Sequence, residues 1–535
     1  MTDPGHILLA CLPALPVAVF MHELGHVLAG RASGFVVTSF GLGIGRPLFV
    51  IPVGGMRVYA CLVRPLQGIT FAFLPQLHPT RLQLVAFTAG GILANAVAAA
   101  FSLACSWMLP WGSPFWIAFA AINAILAVSS LIPYHYSAGQ APLRTDGALI
   151  LQALRSGTLS TSAPRTIQTA SSLRGLWASI GDTLILRVYL LSAASAWVEL
   201  GDLGRAEALF RDAESTGGKI PPHIEALAAL VRAEIAIGRR LSVEAESALV
   251  IAEAIYRRSG QPAGLYLVDL LRVSMQSLEG DAARAAETLE ALASDPVAKS
   301  HPELGMATLT VRLAVACSGS NEGAVEQHLA RYEADRPRWP SATRDLRLYR
   351  VLARFHSGRG DRASAEAAYR NALVAVKGVA DGWADAEGRR AFLEAQSALI
   401  EDARLCLQDG PEPEEAERVI GALATTRPID PWPAKDQRFR RWGLRGMLAN
   451  VVACAAAAML ATIVEGEKGG PIIFLAVLLA LFTILGALYL GLDLTIGRLV
   501  PALRRFSGAI LVILACYPWL GALAIYILST TVPDR

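Results

Sequence analysis

The 535-residue sequence predicts a mostly α-helical chain. It reads as a polytopic membrane protein of about six transmembrane helices, with a small membrane-associated β-segment and a soluble α-helical repeat domain. Three observations predict this. Hydrophobic residues make up 53% and charged residues 17%, against about a quarter charged in a soluble domain. The apolar excess lies at the two ends. Residues 1–150 hold three acidic residues (Asp3, Glu23 and Asp146) and six arginines, 151–445 are rich in Glu, Asp and Arg, and 446–530 are apolar again. Finally, glycine-centred turns recur through the middle every 37–42 residues.

A helix needs about 20 apolar residues to cross the hydrocarbon core. Six stretches meet that, at roughly 7–30, 82–108, 115–134, 446–464, 471–492 and 507–529. The first has no basic segment before it and no polar break after it, so it reads as a retained span rather than a cleaved leader. Arg31, Arg46, Arg57, Arg64 and Arg81 follow the first span, Arg144 and Arg155 the third, and Arg498, Arg504 and Arg505 the fifth. All basic loops then fall on one side, which predicts a multi-pass cell-membrane protein with a cytosolic middle domain. The net charge of +3 is small for this length, and no nucleic-acid partner is expected. The seven cysteines are scattered, without a CxxC pair, and read as buried apolar residues.

Between the first two spans, residues 35–75 do not read as helix. Phe35–Thr38 and Met56–Ala60 have strand character, and Gly41, Gly43, Gly45, Gly54 and Gly55 punctuate them. Open strand edges are not tolerated against lipid, so this segment is expected at the membrane surface or packed within protein.

The middle, 165–425, repeats. Trp197-x3-Gly201-Asp202-x3-Ala206-x3-Phe210-x2-Ala213 matches His356-x3-Gly360-Asp361-x3-Ala365-x3-Tyr369-x2-Ala372. A third copy begins at Gly280-Asp281, and weaker ones at Gly238 and Gly319. The small residue after each turn lets the second helix approach the first. This resembles the tetratricopeptide repeat, whose stacked helix pairs form a concave surface for a protein partner. A linker at 426–445, proline-rich at its start, and three further spans at 446–530 complete the chain.

The chemistry lies in His22-Glu23-Leu24-Gly25-His26. On a helix the two histidines share a face and can hold one metal, while Glu23 reaches a water on it. The plain alternative is a pair of interfacial histidines with Glu23 reaching water. Ionisable groups at the end of a span are costly, which favours function. Catalytic zinc usually takes three protein ligands. Asp3 falls on the opposite side from the motif, whereas Asp146 falls on the same side and is the favoured third ligand. His135 is its rival.

These residues resemble the site-2 protease family. The HELGH helix is similar to the family's first core helix, Gly34–Phe49 and Tyr59–Gly68 to its membrane-associated β-segment, Ala89–Asn95 to its G-x-x-x-N element, and Thr145-Asp146-Gly147 to its D-G. The resemblance implies one Zn2+ on His22, His26 and Asp146, with Glu23 as general base and acid. It also implies that Asn95 faces the metal and meets the substrate carbonyl. The substrate would be a transmembrane protein, cut after another protease has shortened it, with the active site toward the cytosol. The sequence departs from the family at Ser130, where Asn is usual, and in having twelve residues between Pro133 and Asp146, of which Tyr134 to Ala141 look like an insertion. Two other readings are a catalytically inactive membrane-anchored scaffold whose repeats bind a protein partner, and a proton-coupled transporter. The last three spans carry almost no charge, which disfavours the transporter.

Overall fold

The computed structural model describes residues 4–75, 80–108, 113–133, 135–138, 141–156, 162–383, 385–408 and 413–424. The linker and the three spans expected between 426 and 530 lie outside the described residues.

Helix α1 (Pro4–Ala32) runs through Pro13 and Pro16 and carries the HELGH motif near its end. Gly34, at φ +87°, turns the chain into β1 (Val36–Val53). Gly54 and Gly55, both at positive φ, make the two-residue turn to β2 (Met56–Phe73), the pair of conformations such a hairpin requires. The strands are far longer than their local strand signals, and their antiparallel pairing is not a single ladder. Residues 49–53 pair with 56–60, residues 36–42 pair with 68–73, and 39–42 also lie beside 57–60. The start of β1 is therefore flanked on both sides. Gly41 makes this possible, because a Cβ there would stand 2.0 Å from the Tyr59 carbonyl oxygen.

Helices α2 (Arg81–Met108) and α3 (Ser113–Leu131) pack on α1. The approach of α1 to α2 depends on small residues. A Cβ on Gly25 would stand 2.3 Å from the Gly90 carbonyl oxygen, and one on Gly90 would stand 2.5 Å from that of Gly25. Membrane helices pack closely through such pairs. The loop between α3 and Asp146 forms a short ribbon, β3 (His135–Ala138) with β4 (Ala141–Arg144), and leads into α4 (Asp146–Ser156).

The middle is an array of α5 (Ala163–Ile180), α6 (Thr183–Leu200), α7 (Leu203–Ser215), α8 (Pro222–Gly238), α9 (Ser242–Ser259), α10 (Pro262–Leu278), α11 (Ala282–Ser294), α12 (Pro296–Ser300), α13 (Pro302–Ser318), α14 (Glu322–Asp335), α15 (Ala342–Gly358), α16 (Arg362–Ala380), α17 (Ala386–Ala395), α18 (Ser397–Leu407) and α19 (Pro413–Ala424). The Gly-Asp dipeptides of the sequence repeat have a physical role here. Gly201, Gly280 and Gly360 take positive φ, and Asp202, Asp281 and Asp361 then cap the next helix by accepting a backbone N–H three residues on. Gly181-Asp182 is a fourth such turn. At the weaker copies the positive φ falls on Arg240 and Ser320 instead of on Gly238 and Gly319.

Among the described residues, Arg81–Met108 and Thr183–Leu200 are long and apolar enough to cross a membrane, and Phe115–Leu131 is a shorter apolar helix. The first coincides with an expected span and exposes Leu93, Val97 and Phe101 at four-residue spacing, a stripe suited to lipid. Thr183–Leu200 was not expected to span. It is α6 of the array, and Ile185, Leu190, Leu191 and Leu200 are buried against neighbouring helices. Its hydropathy reflects a core position.

Candidate metal centre

The HELGH turn of α1 puts His22 and His26 on the face toward α2. His22 Nε2 and His26 Nε2 lie 3.3 Å apart. Asp146, the first residue of α4, reaches both: its Oδ2 is 2.9 Å from His22 Nε2 and its Oδ1 is 3.4 Å from His26 Nε2. Asp146 is held there by its neighbours. The Thr145 hydroxyl donates to the Ile132 carbonyl at 2.8 Å, and Gly147 seats α4 against the end of α3, where a Cβ would stand 2.0 Å from the Leu131 carbonyl oxygen. The ribbon of β3 and β4 takes up the additional residues, and Asp146 still arrives at the histidines. The backbone of His135 lies in β3, and its side chain is outside the described residues.

The donor set suits a tetrahedral zinc. With bonds of about 2.0–2.1 Å, ligand atoms at the corners stand about 3.3 Å apart; the two Nε2 atoms are 3.3 Å apart, and Asp146 turns one oxygen to each ring, Oδ2 to His22 at 2.9 Å and Oδ1 to His26 at 3.4 Å. Gly91 leaves the space open: a Cβ there would lie 2.6 Å from both Nε2 atoms. His22, Glu23 and His26 also offer ligand atoms within 4.8 Å of one another.

The second ring nitrogens are held from α2. His26 Nδ1 donates to the Phe87 carbonyl at 2.8 Å, which leaves Nε2 with its lone pair free. Asn95 is fully buried, with its amide nitrogen 3.1 Å from His22 Nδ1. Phe87, Gly91 and Asn95, four residues apart, form one face of α2 turned to the site.

Glu23 is buried beside the far end of β2. The Thr70 hydroxyl donates to Glu23 Oε2 at 2.6 Å. Gly68 lets the carboxylate in, since a Cβ there would stand 2.3 Å from Oε1. The opposite face of the sheet meets the array. Ser39 donates to Asp182 Oδ2 at 2.6 Å, with both residues fully buried, and Phe71 meets Trp177 edge-on at 5.5 Å.

All five residues singled out in the sequence (His22, Glu23, His26, Asn95 and Asp146) thus converge. Sequence reasoning missed Thr70, Gly68 and Gly91. The Gly90-Gly91 pair inside an apolar span was a visible signal. Thr70 had none, because its place depends on the register of β2.

No curated protein and no solved structure matches the chain. Residues 10–255 match the profile of Peptidase family M50, the site-2 protease family of membrane-embedded metalloproteases; the matched stretch runs from α1 into the array as far as α9.

Proposed function

We propose that this chain is an intramembrane zinc endopeptidase that cuts a transmembrane segment of a membrane protein. The observation that carries the reading is the meeting of His22, His26 and Asp146, from two separate elements, with facing donor atoms 2.9–3.4 Å apart. These three residues would hold the metal, which supplies a Lewis acid that acidifies water and polarises a carbonyl. Glu23 takes the proton from the attacking water and returns it to the departing amide nitrogen. Thr70 orients the carboxylate for both transfers. A substrate helix must unwind to be cut, and the strand residues at 68–70 beside Glu23 suit an extended segment.

The array serves as the site for a protein that recruits or restrains the substrate. The side of the basic loops supports a cytosolic array with the catalytic centre toward the cytosol. The lipid-suited stripe on α2 supports membrane embedding.

The test has two parts. Metal analysis of the purified chain should give about one zinc, lost in Asp146→Ala. Cells carrying Glu23→Gln should accumulate an uncut membrane protein and lack its fragment. A membrane proteome identical in wild-type and Glu23→Gln cells would sink the protease reading, and with it the preference over an inactive scaffold.

A further inference from the structure

The two imidazoles are not held in the same way. His26 Nδ1 faces a backbone carbonyl, which can only accept. That fixes the proton on Nδ1 and the lone pair on Nε2, the arrangement metal ligation needs. His22 Nδ1 faces the side chain of Asn95. With the amide nitrogen of Asn95 donating to Nδ1, the ring proton sits on Nε2 and can be donated to Asp146 Oδ2 at 2.9 Å. In that state the lone pair that a metal would use is blocked.

Asn95 has a second end. Its Oδ1 is buried without a hydrogen-bond partner, and the cost of leaving a buried polar atom unpaired is about 1–3 kcal/mol. The two ends of a carboxamide are nearly the same size. A half-turn of the side chain brings Oδ1 to the place now held by the nitrogen. Oδ1 then accepts from Nδ1–H, and Nε2 of His22 is freed toward Asp146 and His26.

We propose that Asn95 is a positioning residue for His22: its Oδ1 accepts the Nδ1 proton when metal binds, and so sets the ring's orientation and tautomer. This rests on the metal reading above and differs from the role the family resemblance implies for this residue. In the structure the only partner of the Asn95 amide nitrogen among the described residues is His22. The side chain has no exposed surface, so a substrate carbonyl would have to displace His22 to reach it. Phe87 and Asn95 thus play matching parts, one for each ligand, from one face of α2.

The experiment uses the full-length chain in detergent and measures zinc affinity by competition with a chelator. Asn95→Leu keeps the size and removes both hydrogen-bonding ends. Its zinc affinity should fall 10–100-fold, the usual effect of losing an outer partner of a ligand. Asn95→Asp, which accepts but does not donate, should restore most of that loss. The d–d bands of the Co2+-loaded protein should shift in the Leu variant and return in the Asp variant. If Asn95→Leu does not fold, the Asp variant still decides: zinc affinity at or above wild type supports the assignment, and a 10-fold or greater loss overturns it. Asn95→Leu binding zinc as tightly as wild type, with a cleavage rate lowered 100-fold or more at saturating zinc, would also overturn it, since that is the mark of a group donating to the substrate oxyanion. A wild-type chain that binds no zinc refutes the metal reading itself, a distinguishable outcome.

Discussion

Gly91→Ala isolates the metal site from the rest of the fold. The added methyl would stand 2.6 Å from His22 Nε2 and 2.6 Å from His26 Nε2, where ordinary contact begins near 3.4 Å. Something must therefore move by about 0.8 Å. The rings have little freedom, since His26 is tied to Phe87 and His22 to Asn95 and Asp146. Helix α2 cannot retreat easily either, because Gly90 meets Gly25 on α1 at the adjacent position. Metal–ligand distances tolerate only about 0.2 Å. A displacement several times larger breaks at least one bond, and zinc affinity should fall by at least about 100-fold, or about 2.7 kcal/mol. The helix itself should not suffer, because Ala is favoured over Gly by about 1 kcal/mol in a helix interior. The assay is zinc content after dialysis against a chelator series, with far-ultraviolet circular dichroism to show that the helices persist. Gly175→Ala is the control, since nothing lies within 4 Å of a Cβ there. It should leave zinc unchanged and raise the melting temperature slightly. Wild-type zinc affinity in Gly91→Ala would refute the claim that both imidazoles converge on the space beside Gly91.

Three further outcomes follow from the same geometry. Thr70→Val removes the donor to Glu23 and should slow cleavage about 10–100-fold, the worth of a hydrogen bond to a charged group. Thr70→Ser should recover most of the rate, and zinc content should not change in either; equal rates in all three forms would remove Thr70 from the site. Asp182→Ala deletes the cap of α6 and strands the buried Ser39 hydroxyl, so it should cost about 2–4 kcal/mol, read as a lowered denaturation midpoint. Burial pushes the half-buried Glu234 carboxyl up to about 7 from 4.5, with nearby Glu199 adding to the rise and the Ser195 hydroxyl, donating at 2.7 Å, opposing it. A raised carboxyl means the folded state holds the proton more tightly. Its contribution to stability is therefore fully present below about 4.5 and is lost as the pH rises toward 7. Glu234→Gln should flatten that decline in a pH series of melting temperatures, and a slope unchanged by the substitution would refute the burial argument.

Much of this was legible because it is written in spacing. The four-residue interval of His22 and His26 is a helix face, and the sparsity of acidic residues in the membrane block singled out Asp146. The Gly-Asp turns were legible because a left-handed residue and a cap must stand side by side. The sheet was only half legible. Strand propensity marked short segments, but the long strands and their double register depend on Gly41 and Gly43 meeting backbone from elsewhere in the chain. Thr183–Leu200 shows the opposite failure. It is apolar enough to pass for a span, and only its neighbours show that it lies inside the array. Hydropathy measures what a helix buries, whatever the burial is against.

The least legible feature is the contact of the array with the strand beside Glu23. Trp177 and Asp182 flank the turn between α5 and α6, and both touch the sheet: Trp177 at Phe71, Asp182 at Ser39. Phe71 is the residue after Thr70, and Thr70 holds Glu23. Successive residues of a strand point to opposite faces, so one residue of β2 faces the array while its neighbour faces the Glu23 carboxylate. Tyr59, Cys61, Ile69 and Phe71 are buried in the same apolar cluster as Trp177 and Trp197. The hydrophobic core of the array therefore continues into the sheet, and the sheet is not free to swing on its own. The array is thus part of the wall that sets where Glu23 stands. Its loss should impair the position of Glu23 even for a substrate that never touches the array.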